Sequence, residues 1–333
     1  MKDCMSLNAI KKIILLTPRG FCAGVVRAID VVKIALGHYG APIYVRKEIV
    51  HNRHVVNELR EMGAIFVEEL DEVPAGARVI FSAHGVAPSV RKDAIARNLN
   101  VIDATCPLVT KVHVEAKSFA SKDFTIILIG HKDHDEVIGT LGEAPESMML
   151  VSSVEDVDSL QVKDPSRMRY LTQTTLSLDE TKDIVERLRE RFPLVMGPHS
   201  QDICYATENR QLAVKAVAPL CQLLLVVGSK NSSNSQRLVE VCEKAGIPAY
   251  LIDDESEVEM EWLQNVQTVA ITAGASAPEH LVEELIDFLK VQGFGKLELM
   301  EVKEEDVRFS LPAELEHAGA RLTNIAMTAP AGI

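Results

Sequence analysis

The sequence predicts an α/β protein of three similar units with mainly parallel sheets, set around a pseudo-threefold axis with a metal site at the centre. Three observations predict it. Short apolar runs alternate with segments of helical spacing along the chain, a rhythm that makes parallel sheets. The same order of elements recurs three times. Each recurrence places one cysteine (Cys22, Cys106 or Cys204) at a corner between a strand end and a helix start.

The elements follow in order. Residues 13–16 read as a strand, and Pro18 to Cys22 as the turn into a helix over residues 25–36. A strand at residues 43–46 ends in a loop carrying His51 and Asn52. A helix (55–62), a short strand (65–67) and an acidic turn follow. The strand at 79–81 ends in Ser82-Ala83-His84-Gly85, and a helix near 90–98 leads to Val101, Ile102 and the corner at Cys106. Pro107 suits the first turn of the next helix, where its missing N–H is no loss. Leu108, Val112, Ala116 and Phe119 give that helix its apolar spacing.

The second unit repeats this order. The strand at 125–129 ends in a loop with His131, His134 and Glu136, and a short strand (149–151) precedes acidic residues. The strand at 168–171 ends in Thr172-Gln173-Thr174-Thr175. A helix (181–191) and a strand at 195–196 lead to Cys204 and a helix over 207–218. In the third unit, the strand at 223–227 ends in a loop with Ser232, Ser233 and Asn234. The short strand is 249–252, the strand at 269–271 ends in a loop with Ser276, and a helix (281–289) closes the unit. The expected boundaries are residues 23–106 for the first unit and 107–204 for the second. Residues 13–22 with 205–316 form the third, and 317–333 a tail. After about Gly295 the pattern stops, leaving an acidic stretch with one short strand candidate.

Composition agrees with this layout. At 333 residues the chain exceeds one average domain, and 47% apolar residues suffice for several cores. No apolar run approaches the roughly 18 residues of a membrane span, and residues 1–6 lack a signal-peptide pattern. Six cysteines in a chain this long do not make a disulfide scaffold. A cytoplasmic protein with no membrane partner is expected. Cys221 and Cys242 read as packing residues, and Cys4 as part of a loose terminus. A net charge of −13 argues against a nucleic-acid surface. It leaves room for an anion bound locally at helix ends and hydroxyls.

The chemistry lies at the strand ends, where ligands sit in parallel sheets. The cysteine gaps, 106 − 22 = 84 and 204 − 106 = 98, are too long for a local zinc knuckle or ferredoxin-type run. Three thiolates from three units suit zinc or an iron–sulfur cluster, and the helix starts favour the thiolate. A four-iron cluster held by three cysteines keeps one iron open to substrate. His51, His84 and His134 each follow a strand end; His131 begins the same loop as His134. His38, His54, His113, His199, His280 and His317 have no such repeated position. Ser232, Ser233, Asn234 and Ser276 offer hydroxyls, an amide and helix-start N–H groups, a phosphate cradle without a P-loop lysine. Glu136 is the candidate acid, with Thr174 and Thr175 as relays. A zinc-dependent lyase or hydrolase acting on a phosphorylated metabolite, and a plain electron carrier, use the same cysteines.

Nine blocks then carry a resemblance. They are PRGFCAGV at Cys22, VHN at His51, SAHGV at His84, DATCPLVTKVH at Cys106 and GHKDHDEVIGT with His134 and Glu136. TQTT at Thr174, DICYATENRQ at Cys204, VVGSKNSSNS at Ser232 and TAGASAP at Ser276 complete the set. The chain resembles the 4-hydroxy-3-methylbut-2-enyl diphosphate reductase family from about residue 13 to 278. The resemblance implies a cloverleaf fold and a central 4Fe-4S cluster with one open iron, ligated by Cys22, Cys106 and Cys204. It implies His51, His84, His134, Ser232, Ser233, Asn234 and Ser276 around the diphosphate, Thr174 near the substrate hydroxyl, and Glu136 as proton donor. The implied reaction is the final step of the methylerythritol phosphate route. The allylic diphosphate loses its hydroxyl and gives isopentenyl and dimethylallyl diphosphates, with ferredoxin or flavodoxin supplying electrons.

Overall fold

The computed structural model describes residues 11–315. Cys4, His317 and the tail lie outside the described residues. The elements run β1 (Lys12–Thr17), α1 (Ala23–Tyr39), β2 (Ile43–Arg46), α2 (Arg53–Glu61), β3 (Ala64–Val67), β4 (Arg78–Phe81), α3 (Pro88–Ala96) and β5 (Asn100–Asp103). They continue with α4 (Pro107–Ala120), β6 (Thr125–Ile129), α5 (Asp135–Leu141), β7 (Met148–Val151), α6 (Val154–Ser159), β8 (Met168–Thr172) and α7 (Leu178–Arg191). The last are α8 (Tyr205–Val217), β9 (Leu223–Val227), α9 (Ser233–Lys244), β10 (Ala249–Ile252), β11 (Thr268–Ala273), α10 (Glu279–Val291) and β12 (Lys296–Glu301).

The strands form three sheets, in the orders β10-β9-β11-β1-β12, β3-β2-β4-β5 and β7-β6-β8. Every pairing between these strands is parallel. The central strands are continuous apolar runs because helices cover both faces; all five residues of β9 are buried. Residues 195–196, expected as a strand, contribute a single parallel bridge between Arg169 and Met196.

The chain divides into two compact units. Among the described residues, the first holds 11–21 together with Tyr205–Asp306; the second holds Cys22–Cys204 and 307–315. In the first, β1 inserts between β11 and β12. β12 falls where the periodicity fades, and its charge pattern explains this. It is an edge strand with Lys12 paired to Glu298 at 3.2 Å and with Leu299 73% exposed, so burial leaves no alternation to read. In the second unit, α1 packs Ala28, Val31, Val32 and Ala35 into the core over β2 and β4, at the three- and four-residue spacing of one helix face. Leu315 is fully buried in that same core. Cys221 and Cys242 lie buried against one face of the five-stranded sheet.

Candidate functional site

In the second unit the functional side chains follow strand carboxyl ends, as the topology of parallel sheets dictates. Cys106 is the N-cap of α4, and Pro107 occupies that helix's first turn. Cys22 is the N-cap of α1. The Cys106 N–H donates to Ala83 O at 3.0 Å, tying its corner to the loop that carries His84. The Cys204 N–H donates to Thr174 O, also at 3.0 Å.

The three thiols converge. Burial pushes the Cys106 thiol up to about 12, and the neighbouring Cys22 and Cys204 push in the same direction. The N–H groups of Leu108 and Val109 at the helix start oppose this. Helix-start stabilisation of a thiolate, expected from the sequence, is therefore outweighed by desolvation and by the other sulfurs. A cation shared by the three sulfurs reverses that balance, since a coordinating thiol is deprotonated outright. Space is kept for it at Gly24, where an added Cβ would lie 2.8 Å from Cys106 Sγ and 3.8 Å from Cys22 Sγ. The donor set and the space fit an iron–sulfur cluster held by three cysteines.

His51, His84 and His134 come together from three different loops. The His51 and His84 rings stack with centroids 4.0 Å apart, and His134 stands edge-on to both, at 5.5 and 5.8 Å. His134 caps α5: its Nδ1 accepts from the Glu136 N–H at 3.1 Å, so the neutral ring carries its proton on Nε2. Burial lowers the His134 pKa to about 3, with His51 and His131 adding to the shift. Burial also holds His84 well below its ordinary range, helped by His51 and His134. Both rings are neutral at pH 7 in the free protein and act as N–H donors rather than fixed positive charges. Ligand atoms of His51, His84 and Asp135 lie within 4.8 Å of one another and form a second group able to hold a cation.

Glu136 lies in the first turn of α5 and is 3% exposed. Its Oε1 accepts from the Thr174 N–H at 2.6 Å and its Oε2 from Thr174 Oγ1 at 2.9 Å. Burial raises its pKa to about 7, the two Thr174 bonds restrain the rise, and Asp202 adds to it. Thr174 is thus a shared hinge between the acid and the Cys204 corner. Thr175, expected beside it as a relay, has its hydroxyl accepting from Gln173 Nε2 at 2.9 Å. The contact with Glu136 is made by Thr174.

Two glycines, Gly139 within α5 and Gly142 at its C-cap, escaped the sequence reading. A Cβ at Gly139 would meet the Gly85 backbone at 3.4 Å, and one at Gly142 would lie 2.4 Å from Ala87 Cβ. Gly142 therefore admits no side chain against the loop after β4, whereas a Cβ at Gly139 would lie at ordinary contact distance from it; the same packing sets the His134 ring 5.8 Å from that of His84. The spacing of three between the two glycines was the available signal.

In the first unit, Ser232 caps α9, and its Oγ lies 3.0 Å from Ser235 Oγ. Ser235 Oγ fills the space beside Gly228 and Gly274 at the ends of β9 and β11. Asn234 Oδ1 accepts from the Ala275 N–H at 2.9 Å, and its Nδ2 donates to Thr207 Oγ1 at 3.2 Å. Asn234 therefore holds the loop of Ser276 against the start of α9. Ser233 and Ser276 are buried in the same region. Helix-start N–H groups and hydroxyls gathered this way are of the kind that can receive an anion.

These features define a parallel α/β protein with a three-thiol centre and a buried acid linked to it through one threonine. The family described as LytB protein matches residues 13–290. The chain is 58% identical over 309 residues to the 4-hydroxy-3-methylbut-2-enyl diphosphate reductase of Rhodococcus jostii, covering 92% of each chain. It is 57% identical over 307 residues to the enzyme of that name from Tolumonas auensis, covering 91% of this chain and 99% of the relative. The solved E-1-hydroxy-2-methyl-but-2-enyl-4-diphosphate reductase from Plasmodium falciparum superposes with a TM-score of 0.91 at 41% identity, over 94% of this chain and 99% of that one. The chain belongs to the LytB protein family. Among the described residues no helix is long and apolar enough to cross a membrane.

Proposed function

We infer that this chain is an oxidoreductase that removes the hydroxyl of (E)-4-hydroxy-3-methylbut-2-enyl diphosphate and yields isopentenyl and dimethylallyl diphosphates, the last step of the methylerythritol phosphate route. The observation that carries the reading is the link Glu136–Thr174–Cys204, an acid at about pH 7 joined to a cysteine of a three-thiol centre. A 4Fe-4S cluster on Cys22, Cys106 and Cys204, when bound, supplies the electrons and an open Lewis-acid position. The balance is two electrons and two protons in; the C–O bond breaks, water leaves, and an allylic C–H bond forms. Glu136 gives its proton to the departing hydroxyl, which is otherwise a poor leaving group. Thr174 Oγ1 orients that carboxyl and lies near the hydroxyl. His51, His84, His134, Ser232, Ser233, Asn234 and Ser276 bind the diphosphate. Ferredoxin or flavodoxin delivers the electrons. The carrier alternative leaves a buried acid of this kind without a task, and the zinc alternative predicts a colourless, air-stable protein.

The test is an anaerobic preparation assayed for iron, sulfide and turnover of the allylic diphosphate with a chemical reductant. Stoichiometric zinc without labile sulfide sinks the reading. Two further results are expected. Asn234→Ala removes both bonds of a buried amide and frees the Ser276 loop, an effect of about 1–3 kcal/mol. KM rises about tenfold while the cluster spectrum stays unchanged; an unaltered KM removes Asn234 from the diphosphate site. With Glu136 as donor, the single-turnover rate is flat at low pH and falls as pH rises through about 7, because only the protonated carboxyl can act. A rate that climbs across this interval contradicts the assignment.

A further inference from the structure

We propose that Arg27 is a positioning residue of the cluster, which holds the Cys106 corner in place and sets positive charge against its thiolate. The proposal rests on the assignment of Cys22, Cys106 and Cys204 as ligands. Arg27 lies on α1 and is 9% exposed. Its Nη1 donates to Ala104 O and Thr105 O, both at 3.1 Å, and its Nε to Ser310 O at 2.7 Å. The two carbonyls immediately precede Cys106.

The arrangement recurs at the other two corners. Arg27 follows Cys22 by 27 − 22 = 5 residues, Lys111 follows Cys106 by 111 − 106 = 5, and Arg210 follows Cys204 by 210 − 204 = 6. Lys111 Nζ lies 2.5 Å from both Ser200 O and Asp202 Oδ1, just before Cys204. Asp202 Oδ2 in turn accepts from the Thr172 N–H at 2.8 Å. Arg210, fully buried, donates from Nη2 to Gly20 O at 2.7 Å, two residues before Cys22. Each cation thus hangs from the helix after one cysteine and grips the backbone before another, in the cyclic order Cys22 to Cys106 to Cys204 to Cys22.

Arg27 differs from the other two in its charge balance. Lys111 is paired with Asp202, and Arg210 with Glu305 at 3.1 Å. The three hydrogen bonds of Arg27 among the described residues all go to carbonyl oxygens. Neutral donors serve carbonyls as well, whereas a buried guanidinium is expensive unless an anion faces it. Burial pulls the Arg27 pKa down, and Cys106 is foremost among the groups that resist, ahead of Asp103 and Glu314. Asp103 already pairs with Arg91 at 2.7 Å. With a cluster bound, Cys106 is a thiolate, and Arg27 is held on the two carbonyls that lead into it. Net charge around a cluster sets its potential. Reduction adds negative charge, so an adjacent cation favours the reduced state.

The test compares Arg27→Gln with Arg27→Lys in the full chain with its cluster, reading iron and sulfide per chain and the midpoint potential by anaerobic titration. Arg27→Gln is expected to shift the midpoint to more negative values, and Arg27→Lys to restore it toward wild type. Wild-type iron with a wild-type potential in Arg27→Gln overturns the proposal. Equal shifts in both variants also overturn it, since charge would then be irrelevant. If Arg27→Gln retains no cluster, circular dichroism and melting of the cluster-free proteins decide. An unchanged fold supports a role toward the cluster, and a lost fold overturns it. Cys106→Ser run in parallel separates the premise from the proposal. A full cluster there removes the ligand assignment itself; its loss there, with Arg27→Gln unaffected, removes only the role of Arg27.

Discussion

Glu136→Gln is expected to bind the cluster and the substrate normally but to turn over at least about 100-fold more slowly, the usual scale for losing a general acid. The substituted side chain keeps a carbonyl oxygen for the Thr174 donors and close to the original volume, so the buried site at the start of α5 should survive. What it lacks is a proton that can be given away. In the native chain that proton is held at pH 7 because burial raises the carboxyl to about 7 against the pull of Thr174. Single-turnover reduction with a chemical reductant is the appropriate measurement, because electron delivery then limits neither protein. The variant should accumulate bound substrate with its hydroxyl intact. Release of water at the wild-type rate would falsify the assignment and return Glu136 to a structural role at the Thr174 loop.

The second large effect is at Cys106. Cys106→Ser should abolish reductive activity and remove the cluster. The iron content should drop from about four per chain, one 4Fe-4S cluster, to a small fraction of that. The fold should persist. Cys106 makes no side-chain cap to α4, and serine is a better N-cap than cysteine, so the substitution stabilises the helix start it occupies. Activity loss without unfolding is thus the expected signature, read from iron and sulfide analysis beside a thermal melt. Retention of a complete cluster would show that other residues hold it.

Several features were legible from the letters because they depend on local sequence. Val and Ile runs ending in small or polar residues mark buried parallel strands, and a proline after Cys106 marks a helix start. The histidine, serine and cysteine positions follow from where each strand stops. Other features were not legible. β12 reads as no more than a short strand candidate in an acidic stretch, because its pairing with β1 joins segments far apart in sequence and its leucines stay exposed. The roles of Arg27, Lys111 and Arg210 carry no signal in the letters, since nothing in a single helix says that its cation will reach a distant carbonyl.

The same division applies to ionisation. The sequence by itself determined the α/β class, the three cysteine corners and the residue types at the strand ends, because periodicity and turn chemistry act over a few residues. Only the tertiary structure decided which groups carry charge. Desolvation and neighbouring groups, brought together from separate loops, make His84 and His134 neutral, keep the Cys106 thiol protonated in the absence of a metal, and leave Glu136 holding a proton near pH 7. These shifts arise from burial and from distances across the fold, and neither is a property of any one stretch of chain.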